Sequence, residues 1–318
     1  MNKVLKGVEF VVKNASSVHI NEKELEVFCR QVRKEEIIPT AWKTETFFNE
    51  GTFSQQINYS FVFNSLNFCY WSDNRWEVDY NGRLYQGSSA LFASLTRALR
   101  QNINILDPEI LQRLDEEKFR YILRGENEIP LFGERLRIIK ENAVVLSRDF
   151  GGDFLDLVEK SSHDCLKIVD NLDSYFASFD DKEVYKGKAV YFNKRAQLVA
   201  KYCYEIFKAF DMGELKNYDR LTAGAEYKIP AVLRNLNILE YSKNLAQEID
   251  GKLLIPAGSG EEIEIRAVSV KAIEDIKERL NKRGFGLASP EVHTFIWSKG
   301  KSLPKDGKPS HRTLTIWY

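Results

Sequence analysis

Apolar side chains recur at intervals of three and four through Phe192, Ala196, Val199, Cys203, Phe207 and Phe210. Only a helix brings such positions onto one face, so the spacing predicts a helix over 192–210 with that stripe against a core. Lys194 falls off the stripe, on a second face with Tyr191, Leu198 and Tyr202. A lysine among those neighbours is partly desolvated, and its ammonium is directed at something specific. A helix of this kind needs partners to bury it. With 318 residues, 43% of them hydrophobic and 12% aromatic, the chain can build one large core or two modest ones.

Other elements follow from local signals. Asn21 to Lys34 reads as an amphipathic helix, and Trp76–Tyr80 and Arg83–Gln86 flank Asn81-Gly82, a strong hairpin turn. From Ser88 the pattern turns helical: Ala90 to Gln101, then Pro108 to Arg113 behind the Asp107-Pro108 start signal, with further helices to about Phe176. Gly151-Gly152 and Asp180-Asp181-Lys182-Glu183 read as loops too short for a flexible linker, which favours lobes packed against each other. Pro230 suits the first position of a short helix to about Leu236, closed by a left-handed Asn237, while Ser242 caps a second that stops at Gly251. Together they make a helix-hairpin-helix unit. After the loop Pro256 to Gly260, Glu262 to Arg266 alternates as a short strand would, Ala272, Ile273, Ile276 and Leu280 mark the core face of the next helix, and His311 to Tyr318 reads as a docked terminal strand. The expected fold is mainly α with small β elements, one domain over 1–318 with an amino-terminal lobe of about 1–130 and a helix-hairpin-helix lobe of about 131–318.

Several function classes are disfavoured. Lys plus Arg total 46 and Asp plus Glu total 46, which leaves no positive footprint for a nucleic-acid duplex, although a local pocket for a small anion escapes such a count. Cys29, Cys69, Cys165 and Cys203 lie far apart among apolar residues and read as reduced, mostly buried thiols. The first residues carry Lys3, Lys6 and Lys13 without a signal-peptide core, and no long apolar run occurs. A cytoplasmic protein without membrane attachment is expected. His163 and His293 have no partners at ligand spacing and read as structural, so no metal is expected.

A set of motifs carries a resemblance: Asn67-Phe-Cys-Tyr-Trp-Ser72, Arg97-Ala-Leu99, Phe150-Gly-Gly-Asp-Phe154, Lys194-Arg-Ala-Gln197, Leu221-Thr-Ala-Gly-Ala-Glu-Tyr-Lys-Ile-Pro230, Tyr241-Ser242, Glu264-Ile-Arg266 and His311-Arg312. In order and approximate spacing, from about residue 5 onward, they resemble the queuosine salvage proteins, the queuosine 5'-phosphate N-glycosylases. The resemblance implies a mostly helical fold related to the helix-hairpin-helix DNA glycosylases. It also implies release of queuine from queuosine 5'-monophosphate, for salvage into tRNA, without metal or other cofactor. The family's catalytic lysine stands in a Lys-Arg-Ala-Gln helix and its aspartate in an Ala-Asp-Tyr-Arg-Val-Pro-like motif, positions that fall on Lys194 and Glu226, 226 minus 194 or 32 residues apart. This chain departs from the pattern in three places. Glu226 replaces the aspartate, Gly224 stands where Phe is usual, and Ser88-Ser89 stand where an aromatic pair is expected.

Breaking a ribosyl C1'–N bond builds positive charge on the sugar, so a carboxylate near C1' stabilises the transition state and can take a proton from attacking water. Glu226 has that chemistry. Queuine is a 7-deazaguanine with carbon in place of N7, which closes the usual route of protonating the leaving base there. Lys194 can stabilise a ribose oxygen or the 5'-phosphate, or hold the carboxylate ionised; the sequence leaves these open. Phe68, Tyr70, Trp71 and Trp76 are candidates for a wall that stacks the base, together with Tyr227; Asn67 and Asp73 are candidates for reading its amide edge. Arg266, placed just before a helix, is a candidate for the phosphate, as are His311 and Arg312. Plainer readings are a solvated pre-helix glutamate, a snorkelling lysine, aromatic core packing and surface salt bridges. The expected partner is a small nucleotide, with no stable nucleic-acid complex; the oligomeric state is open. Two alternatives remain: a paralogue that binds the nucleotide without turnover, and a helix-hairpin-helix DNA glycosylase. Ligand binding without product would mark the first, and salt-sensitive duplex binding the second.

Overall fold

The computed structural model describes residues 2–37, 44–300, 304 and 306–318. The chain opens with α1 (Lys3–Asn14), β1 (Val18–Ile20) and α2 (Glu22–Gln31), followed by α3 (Phe53–Ser65). A hairpin, β2 (Glu77–Tyr80) and β3 (Arg83–Gln86), leads into α4 (Gly87–Arg100), α5 (Pro108–Gln112), α6 (Glu116–Ile122) and α7 (Phe132–Asp149). Next come α8 (Phe154–Lys160), α9 (Cys165–Tyr175), the hairpin β4 (Lys182–Tyr185) and β5 (Lys188–Tyr191), and α10 (Lys194–Ala209). The last third holds α11 (Lys228–Asn235), β6 (Leu239–Tyr241), α12 (Lys243–Asp250), α13 (Gly260–Lys282) and α14 (Ser289–Lys299). It is a mainly helical molecule with three two-stranded antiparallel pairs among the described residues.

The local signals translate directly into elements. Asn81 and Gly82 both take positive φ, 54° and 74°, and pair Tyr80 with Arg83 across the turn. Asn21 caps α2 through Glu24 N at 3.0 Å, Ser242 caps α12, and Asn237 closes the turn after α11 at φ 55°. Helix α11 begins two residues before Pro230, and β6 lies between α11 and α12, paired with β1. All four cysteines are buried and free. Among the described residues no helix is long and apolar enough to cross a membrane.

Three expectations change. Glu262 to Arg266 is the start of α13, capped by Ser259, and both alternating faces are buried: Glu262 1%, Ile263 1%, Glu264 3%, Ile265 0% and Arg266 0% exposed. A helix enclosed on all sides has no single apolar stripe, and its charges follow tertiary partners, so the pattern mimics a strand. Lys182 and Glu183 belong to β4, which turns through Lys186-Gly187, both at positive φ. The carboxy-terminus is docked without being a strand: it makes one bridge, Arg312 with Leu254, and Tyr318 is 2% exposed with its carbonyl accepting from Cys69 N at 2.8 Å.

Helix α3 is the element around which the site is built. Every residue from Gln56 to Ser65 is buried, with α10 and α8 packed along it and α4 and α7 beside it. Its last carbonyls and those of the following turn have no helical partners and point into the interior. Buried cations take them up. Arg195 donates to Asn64 O (3.0 Å), Ser65 O (2.7 Å) and Ser178 O; Arg135 donates to Leu66 O, Phe68 O and Cys69 O; Lys194 Nζ donates to Asn67 O at 3.3 Å. Phe68 is sealed between the two guanidinium groups, 4.2 Å and 5.1 Å from its ring centre. Replacing Arg195 by Met removes the charged donor from all three of its carbonyls and leaves Asn64 O only its backbone donors in the turn. The urea unfolding midpoint should fall by the equivalent of about 3 kcal/mol, because a hydrogen bond to a charged group contributes roughly 1.5–3 kcal/mol. An unchanged midpoint would show that water or a neighbour serves the carbonyls instead.

Candidate active site

The same crossing of α3 and α10 opens a cavity of about 740 Å³. Asn193, at φ 49°, turns the chain from β5 into α10, so Lys194 is the first residue of the helix, with its backbone N–H on Asp181 Oδ2 at 3.0 Å. Lys194 is 3% exposed and lines the cavity with Leu198 and Tyr202, the face read from the helical spacing. Burial pulls its pKa down to about 8 against the pull of Glu226, which favours the ammonium.

Glu226 reaches the same cavity from the opposite segment. Two ties hold that segment to α10. Gln197 Oε1 accepts from Thr222 N at 2.7 Å and Thr222 Oγ1 at 2.9 Å. Arg266 Nε donates to Ala225 O at 3.2 Å, while its Nη2 forks onto Asp181 at 2.9 and 2.7 Å. Asp181 therefore links the backbone of Lys194 to the residue before Glu226. The Glu226 side chain is 15% exposed, and its Oε1, facing His293 Nε2 at 3.7 Å, has no hydrogen-bond partner. Burial works to raise its pKa, but His293, Lys194 and Lys228 outweigh burial and hold it below the usual glutamate range.

The other anticipated site residues divide. Asn67, Tyr70, Trp71, Trp76 and Tyr227 line the cavity, and Asn67 Oδ1 accepts from Tyr70 OH at 2.9 Å. Phe68, 0% exposed in its arginine clamp, does not reach it; Asp73 is solvent-exposed and pairs with Arg312 at 2.9 Å. Arg312 lines the cavity mouth. His311 lines it too, but burial and then Arg266 depress its imidazole to about 3, so it is neutral at pH 7 and cannot meet a phosphate as a cation. Arg266 lies within α13 rather than before a helix, wholly buried between the rings of Phe192 and Tyr318, and is not among the lining residues. Burial opposes its charge, yet Asp181 and Glu262 raise its pKa, which makes it a structural cation.

His293, read from sequence as structural, faces Glu226 on the cavity wall, with Thr294 and Trp297 of the same helix beside it. His293 is buried on α14 along with Val292, Phe295 and Ile296, so the helical period does not set it apart. Its partner is not legible in the sequence either, because the contact with Glu226 is tertiary. Gly87, Ser88 and Ser89 at the start of α4 line the opposite wall. Among the described residues no group of His, Cys, Asp and Glu is arranged to hold a metal ion.

A family model described as "Queuosine salvage protein" matches residues 47–318. A protein of Sphaerobacter thermophilus named queuosine 5'-phosphate N-glycosylase/hydrolase is 36% identical over 315 residues, spanning 99% of this chain and 97% of that protein. One of the same name from Dictyostelium discoideum is 32% identical over 270 residues, 85% of this chain and 80% of its own. Another, from Bos taurus, is 28% identical over 333 residues, 98% of this chain and 97% of its own.

The strut through Asp181 can be tested without reference to any activity. Arg266→Met strands a buried carboxylate and should cost about 3–5 kcal/mol in urea unfolding, and the double variant with Asp181→Asn should recover part of that loss. Equal stability of Arg266→Met and wild type would remove the strut.

Proposed function

The chain belongs to the queuosine salvage protein family, and on that premise we propose that it is an N-glycosidase that hydrolyses queuosine 5'-monophosphate. Water adds hydroxyl to C1' and its other hydrogen to the departing nitrogen, giving ribose 5-phosphate and queuine, which then serves tRNA modification. The observation that supports this most is the convergence of Lys194 and Glu226, 32 positions apart (226 minus 194), on one cavity.

Glu226 is the carboxylate assigned to C1'. Held ionised below the ordinary glutamate range, it offers negative charge to the oxocarbenium-like transition state and an Oε1 lone pair to the attacking water. Lys194 is assigned the task of keeping that carboxylate ionised and oriented. Its own ammonium is fixed by Asn67 O, the carbonyl at the end of the α3 turn. Tyr70, Trp71, Trp76 and Tyr227 provide flat faces for the base, and Asn67 a polar edge. Arg312 is the phosphate candidate that remains, since it lines the cavity and its partner is the exposed Asp73, while Arg266 is buried against Asp181. No cofactor enters the scheme. Four unpaired, buried cysteines suit a reducing compartment, so the reaction is assigned to the cytoplasm.

We also read α11 and α12 as the helix-hairpin-helix unit of a glycosylase-like architecture. The two packed lobes remain part of this reading, with extensive packing across a boundary near residue 130: α1, β1 and α2 on α13, α3 on α10 and α5 on α7.

Incubation with queuosine 5'-monophosphate should release queuine, detected by mass spectrometry; nucleotide binding without product would favour the inactive paralogue. Glu226→Ala and Lys194→Ala should each lower turnover by roughly 10²–10⁴-fold with the fold intact. The pH dependence follows from the sign of the Lys194 shift. Its folded pKa is depressed, so the ammonium is lost as pH rises through about 8, and kcat/KM should fall above that value. A rate that stays level to pH 10 would exclude a required ammonium that is lost near pH 8.

A further inference from the structure

We propose that His293 is a positioning residue for the Glu226 carboxylate and the third member of the catalytic arrangement. The inference rests on the assignment of Glu226 above. His293 stands on α14, its side chain 9% exposed, with Nε2 3.7 Å from Glu226 Oε1. Neither atom has another hydrogen-bond partner. Buried polar atoms are almost always paired, so two orphans facing each other at a cavity wall call for a reason. The separation exceeds an N–H···O bond by roughly 0.5 Å, which a small rotation of either side chain closes. In the tautomer that carries Nε2–H, the imidazole then donates to Oε1 and fixes the rotamer of a side chain longer and freer than aspartate.

Gly224 leaves room beside this contact. A Cβ there would lie 3.4 Å from Lys194 Cγ and 3.5 Å from His293 Nε2, so any larger side chain would grow into the space between the lysine stem and the imidazole. The glycine and the histidine therefore border one space: the room at 224 lies beside the ring that steadies the carboxylate. The charged and titratable groups facing this pair are Lys194, Lys201 and Tyr202 from α10, Tyr227 and Lys228 from the start of α11, and Tyr70 from the turn after α3. Lys201 is committed to Thr294 at 2.8 Å and to Glu205, which leaves His293 to serve Glu226.

The experiment compares His293→Leu, His293→Gln and Glu226→Ala with wild type on queuosine 5'-monophosphate, with kcat, KM, the kcat pH profile and thermal midpoint measured for each. His293→Leu should lose roughly 10–100-fold in kcat with KM within about twofold, since misplacement of a reacting group by on the order of 1 Å carries that penalty. Its acid limb should move to higher pH, because removing a group that lowers the Glu226 pKa lets the carboxylate protonate sooner. His293→Gln, which keeps an N–H donor, should recover most of kcat. Undiminished kcat and an unmoved acid limb in His293→Leu, with activity lost in Glu226→Ala, would overturn the proposal alone. Equal losses of kcat in the Leu and Gln variants, tracking equal losses of thermal midpoint, would reduce His293 to packing and overturn it as well. Full activity in Glu226→Ala would overturn the assignment of the carboxylate and this proposal with it.

Discussion

The turn that ends α3 gathers six consecutive backbone carbonyls, from Asn64 to Cys69, in a region without solvent, and their satisfaction by three buried cations organises the rest of the molecule. A helix carboxy-terminus carries partial negative charge and exposes unpaired acceptors, so positive donors are favoured there twice over. The arrangement is costly for the donors. Burial brings Arg135 to about 10, Arg195 to about 9 and Lys194 to about 8. Arginine tolerates this because five N–H groups can serve several carbonyls at once. Lysine, with a compact ammonium held here by one carbonyl, comes closest to losing its proton. The two adjacent residues of α10 thus take different roles from one electrostatic demand: Arg195 anchors the turn, and Lys194 is left with its ammonium at the cavity.

The Lys194-Arg-Ala-Gln197 stretch is compact because each of its residues meets a different requirement at that crossing. Ala196 is small enough to sit in the core between α3 and α9, and Gln197 reaches across to Thr222. The second tie runs through Asp181 and Arg266 to Ala225. Two independent ties fix the segment bearing Glu226 against the helix bearing Lys194, so the spacing of the pair does not depend on the long stretch of chain between them. This accounts for a guanidinium buried completely in α13: its work is geometric, and its cost is offset by a fork onto Asp181 and by the rings of Phe192 and Tyr318.

Local chemistry was legible in the sequence, and tertiary chemistry was not. Asn81-Gly82, Asn237 and Ser242 state their backbone roles in their own residue types, and the stripe from Phe192 to Phe207 states its burial by period. Glu262 to Arg266 misled because the enclosure of α13 on both faces removes the single stripe on which periodicity depends. Arg266, His311 and Phe68 were grouped with the site by residue type and by the motifs they stand in, and burial and partners reassign them: one to a strut, one to a neutral ring at the wall, one to a clamp between arginines. His293 was the converse case. A single histidine on a helix carries no signature until the chain segment opposite is known.

The replacement of aspartate by glutamate can now be treated as a question of space. The extra methylene moves a carboxylate by on the order of 1 Å, enough to matter for catalysis unless the surroundings adjust. Here two residues, Gly224 and His293, touch the same volume. Gly224 withdraws a side chain from between Lys194 and His293, and the imidazole approaches Oε1 on the flank thus opened. A longer arm with no lateral support would sample several rotamers at the entropic cost that any flexible side chain incurs on being ordered. Lys194 attracts the charge and His293 stands beside the oxygen, the two influences on this arm that the proposal joins. Positions 224, 226 and 293 therefore border one volume, and the room left at Gly224 is available to the longer Glu226 arm and to the imidazole beside it.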